Sequence, residues 1–261
     1  ELNRVFAVGL TKNLESVVYG VSKYNLMANE KLTTYYLQPL DGGEKEETEG
    51  DTELVADKHV SPGGHNRIVI KNVKINKITG QDHYPELKNT DVKIYESLQY
   101  RHWDEWEDGE FSHVMIEPTG ESTQESIDIM ANEPYNCPQM PFGGEEDYLW
   151  GPEGKRLIYV TKKLHGTAYT QSTNTDIYEY DLETKKTTNL TVENKGYDTS
   201  PAFSSKGIMG WLQMKRDGYE SDKNDIIIRL KEGDINLTED WDGTVNGFVF
   251  SSNGDKVYFN A

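Results

Sequence analysis

Four stretches of the chain share one outline: SPGGHNRIVI from Ser61, GPEGKRLIYV from Gly151, SSKGIMGWL from Ser204 and SSNGDKVYF from Ser251. Each reads as a four-residue turn opening onto a strand of alternating apolar residues. A glycine, Gly64, Gly154, Gly207 or Gly254, stands at the same offset in all four. The turn requires positive φ there, which glycine adopts without a Cβ penalty. LTKNLESVVYGV, from Leu10, is a degenerate fifth copy with Leu14 at that offset. A unit that recurs along a chain cannot bury its own apolar surface and has to stack on its neighbours, which constrains the fold before any other feature does.

A second piece follows most of these turns: strand, tight turn, strand. DIYEYDLETKKTTNLT ends at Thr191 and DIIIRLKEGDINLT ends at Thr238, about 47 residues later. TTYYLQPLDGGEKEET from Thr33 and SHVMIEPTGESTQES from Ser112 have the same form. Four antiparallel strands per unit at this period predict an all-β chain, a β-propeller of four-stranded blades present as a partial ring of about four to five blades. The expected blades are residues 1–50, 51–133, 134–192 and 193–239, with an incomplete fifth at 240–261. The second is overlong; its surplus, KITGQDHYPELKNTDVKIYESLQYRHWDEWEDGE, is expected to form an excursion between two hairpins. Because an open blade end exposes strand edges, the ring is expected to be completed by further chain or by another copy, so a homo-oligomer is among the expected partners.

The formal net charge of −18 excludes a nucleic-acid backbone as partner, since such binding draws on clustered Lys and Arg. Cys137 is the only cysteine, so neither an intrachain disulfide nor a Cys-rich zinc site can form. The six histidines lack an H-E-x-x-H spacing, and neither metal nor cofactor is expected. No run of about 18 apolar residues occurs, hence no membrane span. The chain opens at Glu1, which is read as loss of an upstream piece.

SPAFSSKG followed by WLQMKRDGYESDKN, together with YRHWDEWEDGEFSHVMI from Tyr100 and KKLHGTAYTQSTNTDIYEYDLETKKTTNLT, resembles the propeller of prolyl oligopeptidase-type serine peptidases, in the bacterial dipeptidyl and acylaminoacyl peptidase branch. The SPxFSxxG turn alone is shared with TolB-like periplasmic propellers. The turn Asp usual in this repeat is replaced by Gly63, Glu153, Lys206 and Asn253, which marks a diverged member. The resemblance implies a periplasmic or secreted propeller that caps an α/β-hydrolase domain, limits access to small or unfolded peptides and helps hold the peptide's amino terminus. The nucleophile would sit on a G-x-S-x-G elbow. Gly20-Val21-Ser22 and Gly120-Glu121-Ser122 begin such a pattern without the closing Gly, so no catalytic residue is expected in this chain, which alone should be inactive. A non-catalytic, TolB-like propeller that recruits a protein is the alternative, and a propeller glycosidase with paired inward carboxylates a remoter one.

The candidate substrate-binding or domain-interface residues fall in two loops. In DEWEDGE an EF-hand is ruled out, because Trp106 and Met115 occupy its third and twelfth positions. Asp104 belongs to this acidic cluster, which either meets a cation or ammonium or is solvated. Trp103 and Trp106 either stack on substrate or hydrolase domain, or anchor the excursion. Arg101 either meets a substrate carboxylate or pairs internally with Asp104 or Asp108. In RDGYES, Tyr219 and Glu220 either receive a peptide amino group or belong to a turn set by Asp217-Gly218. The sequons at Asn189 and Asn236 recur at one strand of consecutive blades, and repeat periodicity accounts for them.

Overall fold

A computed structural model describes residues 3–49, 54–98, 100–102, 104–120, 123 and 125–261. Its contacts divide into two units, Glu1–Lys58 and His59–Ala261. The first unit is one antiparallel sheet of β1 (Asn3–Leu10), β2 (Ser16–Asn25), β3 (Glu30–Pro39) and β4 (Glu46–Thr48), in that order. Gly20 on β2 lies opposite Phe6 on β1, and the Phe6 ring fills the space a side chain would occupy: a Cβ there would stand 2.3 Å from Phe6 Cζ. Ser22 is buried and shares a 2.9 Å hydrogen bond with the Thr33 hydroxyl. Gly20-Val21-Ser22 is thus the interior of a strand. Residues 121 and 122 of the second G-x-S sequence lie outside the described residues.

The repeated turn takes one geometry throughout. Gly64, Gly154, Gly207 and Gly254 have φ of 73°, 67°, 76° and 70°, and each donates its N–H to the carbonyl three residues earlier at 2.8–2.9 Å. The fifth copy keeps that geometry: Leu14 has φ 61° and donates to the Thr11 carbonyl at 2.8 Å. The opening hydroxyl explains why. Thr11, Ser61, Ser204 and Ser251 each accept an N–H from the first residue of the next strand (Ser16, Asn66) or the residue just before it (Ile208, Lys256), at 2.9–3.1 Å, so the turn is closed from both ends and holds even a residue disfavoured at positive φ.

In the second unit, β5 (Asn66–Lys74) pairs with β8 (Glu110–Pro118), which pairs with β9 (Ile127–Asp128). Between β5 and β8 the chain forms α1 (Gly80–His83) and a two-stranded ribbon, β6 (Arg101–His102) with β7 (Glu105–Trp106). Among the described residues this sheet has three strands where four were expected, and on the outer side of β5 there is a bridge between Val60 and Arg67. Two four-stranded antiparallel sheets follow: β10 (Tyr148–Trp150), β11 (Arg156–Thr161), β12 (Asp176–Asp181) and β13 (Lys186–Asn189), then β14 (Asp198–Phe203), β15 (Met209–Gln213), β16 (Asp225–Leu230) and β17 (Gly233–Asn236). The pair β18 (Gly247–Phe250) and β19 (Val257–Asn260) comes last. A second short helix, α2 (Gly166–Gln171), lies between β11 and β12.

Side chains on a strand alternate between faces, and here both faces are apolar. On β11, Leu157 and Tyr159 join Ile68, Val114 and Ile116 of the preceding sheet, while Ile158 and Val160 join Met209, Trp211 and Ile227 of the next. On β16, Ile226 and Ile228 turn the other way, toward Val245, Phe248 and Phe250. RLIYV and DIII are therefore continuous apolar runs rather than the alternating strands expected, because sheets covered on both sides need no polar face. Covering each buried side chain contributes about 1.5–3 kcal/mol, and this stacking, sheet on sheet, is what the repeat encodes.

Polar ties close the individual sheets. Asp198, fully buried at the start of β14, accepts hydrogen bonds from Trp211 Nε1 at 2.7 Å, Gln213 Nε2 at 2.8 Å and Asn194 Nδ2 at 3.0 Å. The Asn-Leu-Thr segments close their hairpins: Thr191 and Thr238 hydroxyls accept the N–H of Ile177 and Ile226 at 3.0 Å. Their asparagine amides are occupied too, Asn236 Nδ2 on Asp225 and Asn189 Nδ2 on the Tyr178 hydroxyl. Both sequons thus have a structural role at equivalent places in consecutive sheets.

Candidate functional site

The excursion between β5 and β8 folds back on itself. Thr79 caps α1 by accepting from Asp82 N–H at 3.3 Å, and Asp82 returns a bond to Thr79 N–H at 2.7 Å, a reciprocal capping box. The ammonium of Lys74, 2.9 Å from Asp82, and the Thr79 amide hold the Asp82 carboxyl well below the usual range. Residues 78–80 then pair with 92–94, through Gly80 N–H to Val92 O at 2.7 Å and Ile94 N–H to Ile78 O at 2.8 Å. The stem closes at Gly109, whose carbonyl accepts both Ile75 and Asn76 N–H at 2.9 and 3.1 Å. Gly109 has φ 88° and sits against Asn76 so closely that a Cβ would lie 2.1 Å from its carbonyl oxygen.

On this frame Tyr95, Tyr100 and Trp106 stack, with ring centroids 5.3–6.3 Å apart. The Tyr95 hydroxyl donates to the Glu107 carbonyl at 2.7 Å, and Glu107 N–H donates to Tyr100 O at 3.0 Å. The Arg101 guanidinium lies 5.2 Å from the Trp106 ring centroid, a cation–π contact rather than the internal pair with Asp104 or Asp108 that was the plainer expectation. Trp106 is 47% exposed, so the stack orders the excursion while leaving one aromatic edge available.

A cavity of about 800 Å³ opens beneath the ribbon. One side is the excursion, including Tyr95, Trp106 and Glu107; the other is the 134–140 segment and the connection from β11 to β12, including Leu164, His165 and Tyr169. Among the described residues five carboxylates line it, Glu96, Glu105, Glu107, Asp108 and Glu110, and no lysine or arginine does. Burial raises the Glu107 pKa, with Asp108 and Glu105 adding to it and His102 and Lys93 opposing it. Burial likewise raises Tyr169, to about 12, with Glu107 adding to it. An aromatic-walled hollow in which five carboxylates face two histidines and no lysine or arginine is suited to an organic cation, which relieves the repulsion among the carboxylates. Among the described residues no three His, Cys, Asp or Glu side chains converge as a metal site requires.

The sequence candidates divide accordingly. Trp106 lines the cavity; Arg101 and Asp104 are exposed on the same ribbon, outside its lining. Trp103 lies outside the described residues. Tyr219 and Glu220 are exposed on the loop between β15 and β16, where Tyr219 lies under Arg216 at 4.5 Å. Arg216 also grips Asp222, whose pKa that contact lowers to about 2. The Asp217-Gly218 turn that was the plainer reading of RDGYES is present and docked on the neighbouring sheet: Asp217 accepts from the Ser172 hydroxyl at 2.6 Å and Thr173 N–H at 2.9 Å. Sequence reasoning did not single out Glu107, Tyr95, Tyr169 or Lys162. Glu107 could have been found within DEWEDGE, and Tyr95 lies on the same excursion; Lys162 and Tyr169 join them only when a second long connection folds against it.

Superposed on the acylaminoacyl peptidase of Pyrococcus horikoshii, the chain gives a TM-score of 0.56 at 14% identity, over 94% of this chain and 41% of that one. The fold is a β-propeller. No family model matches the sequence. Its curated relatives are more specific: the chain is 35% identical over 206 residues to dipeptidyl-peptidase 5 of Porphyromonas gingivalis, covering 77% of this chain and 30% of that protein. It is 39% identical over 151 residues to dipeptidyl-peptidase 5 of Porphyromonas endodontalis, covering 58% and 21% respectively. The chain is a peptidase-associated β-propeller domain, homologous to part of dipeptidyl-peptidase 5.

Proposed function

We propose that the chain is the substrate-gating and substrate-positioning propeller of a serine peptidase whose nucleophile lies in an α/β-hydrolase domain outside these 261 residues. The observation that carries this reading is the 35% identity to dipeptidyl-peptidase 5 of P. gingivalis, of which the chain spans only 30%. The lack of any G-x-S-x-G in the sequence agrees with it. A periplasmic or secreted location belongs to the same reading; no helix among the described residues is long and apolar enough to cross a membrane.

Within this reading the acidic cavity receives the free amino terminus of a peptide, with Glu107 as the principal acceptor and the Trp106 and Tyr169 rings beside it. A charge-assisted hydrogen bond contributes about 1.5–3 kcal/mol, so its loss raises KM about ten- to a hundredfold with kcat little changed. The test is hydrolysis of Ala-Ala-p-nitroanilide by the longer protein that carries both domains, with and without Glu107→Gln. The expected result is the KM effect, with the N-acetylated substrate a poor one for the unaltered protein. An unchanged KM, or preference for the acetylated substrate, overturns the cavity assignment. Serine-dependent cleavage by the 261-residue chain alone overturns the division of labour.

A further inference from the structure

We infer that Lys162 and Asp217 form a latch that fixes one wall of the acidic cavity, making Lys162 a positioning residue that acts through Tyr169. The inference deepens the ligand-binding role given to the cavity above and rests on it for its functional consequence. The wall in question is the 162–175 connection between β11 and β12, which carries α2, and with it Leu164, His165 and Tyr169 at the cavity surface. α2 is a helix of 6 residues. A helix that short is not stable by itself, and its last carbonyls need donors.

Lys162 supplies them. Its ammonium donates to the Tyr169 carbonyl at 2.6 Å and also to the Ser172 carbonyl, closing the carboxyl end of α2 with a positive charge where the helix dipole favours one. The same ammonium lies 4.1 Å from the centroid of the Tyr169 ring, so a single side chain sets both the backbone and the ring of the residue that faces the cavity. The far end of that ring is tied as well, its hydroxyl donating to Met140 O at 2.9 Å.

Asp217 grips the same short segment from the neighbouring sheet. Besides the bonds from Ser172 and Thr173, the Gly218 N–H donates to the Thr173 hydroxyl at 3.0 Å, so Ser172 and Thr173 are held between Lys162 on one side and the Asp217-Gly218 turn on the other. Burial lowers the Lys162 pKa, while the charges of Asp217 and Glu220 oppose that shift. This gives the RDGYES loop a connection to the cavity although Tyr219 and Glu220 do not line it. Neither end of the latch is a cavity-lining side chain, so removing it changes the wall without removing a group that would touch the ligand.

The test uses Lys162→Met, Lys162→Arg and Asp217→Asn, singly, and Lys162→Met with Asp217→Asn. Trialanine affinity is measured by calorimetry, and hydrogen exchange at residues 168–172 by mass spectrometry. The latch predicts at least tenfold weaker trialanine binding and at least tenfold faster exchange in Lys162→Met and Asp217→Asn, with Tm within a few degrees of wild type. It predicts that the double variant is no worse than the worse single one, since the two residues hold one segment, and that Lys162→Arg recovers most of the loss. Wild-type exchange in Lys162→Met, or effects of the two substitutions that simply multiply, overturns the latch. If trialanine fails to bind the wild-type protein, the cavity's ligand assignment falls, and the exchange comparison still decides the latch by itself.

Discussion

Replacing Gly109 by alanine tests whether the excursion is docked where the cavity requires it. The change is best compared with Gly207→Ala, because the two glycines share a left-handed backbone, φ 88° and 76°, and differ in their surroundings. Nothing lies within 4 Å of a Cβ on Gly207, whereas one on Gly109 would stand 2.1 Å from the Asn76 carbonyl oxygen. At Gly207 the cost is the left-handed conformation, about 1–2 kcal/mol, less about 0.4–1 kcal/mol for the stiffer unfolded chain. The net is about 1 kcal/mol, or a Tm lower by about 2–4 °C. At Gly109 the backbone must also part from Asn76 and give up the two hydrogen bonds its carbonyl accepts, at about 1 kcal/mol each. That totals about 3 kcal/mol, a hundredfold or so in the local opening equilibrium.

The loss should be confined to the excursion, since the sheet cores do not depend on its stem. Hydrogen exchange at Ile75, Asn76 and Ile94 should therefore accelerate about a hundredfold in Gly109→Ala while the amides of β11 and β15 keep their protection. Gly207→Ala should show the reverse, a small global loss with the excursion unaffected relative to the rest. Equal behaviour of the two variants would refute the close approach of Gly109 to Asn76 and with it the described cavity.

Two further outcomes concern the core. Burial raises the Asp198 pKa to about 6, against hydrogen bonds from Gln213, Asn194 and Trp211 that favour the charged form. A carboxyl whose folded pKa exceeds its unfolded value binds more protons when folded, so its contribution to stability rises as pH falls from about 7 to about 4, by up to about 3 kcal/mol. Asp147, raised to about 7 chiefly by burial, acts in the same direction. Asp198→Asn should flatten this dependence in urea unfolding measured at pH 7 and pH 5, and an identical slope in variant and wild type would contradict it. Thr238→Val keeps the shape but deletes the hydroxyl that accepts from Ile226 N–H at 3.0 Å and donates to Asp225 at 2.9 Å. It should cost about 1–3 kcal/mol in chemical denaturation; a loss within error would show that the Asn-Leu-Thr closure is not structural.

The repeat was legible because the turn is a local device: four residues and a left-handed position mark each new unit, with a hydroxyl closing the loop in every copy but the one at Gly151. Leu14 weakened the fifth copy on sequence grounds, yet Thr11 supplies the closing hydroxyl and the turn survives. The three strands of the second sheet were not legible, since a single bridge at Val60 has no periodicity to read. The site was legible only in part. DEWEDGE and RDGYES announce themselves as charged, aromatic loops, but which of their residues face a common space depends on two long connections meeting, and Lys162 and Tyr169 lie far from either motif in sequence. Arg101 illustrates the same limit: Asp104 and Asp108 nearby in sequence suggested an ion pair, and the folded ribbon offered a tryptophan face instead.

The role of the cavity is tested most directly by following the indole N–H signals of the protein by nuclear magnetic resonance while trialanine is added. The account predicts a saturable shift of the Trp106 signal, no shift of Trp211, whose indole is locked on Asp198, and no response of Trp106 to N-acetyl-trialanine. A Trp106 signal that stays in place throughout, or that moves equally with the acetylated peptide, would contradict it.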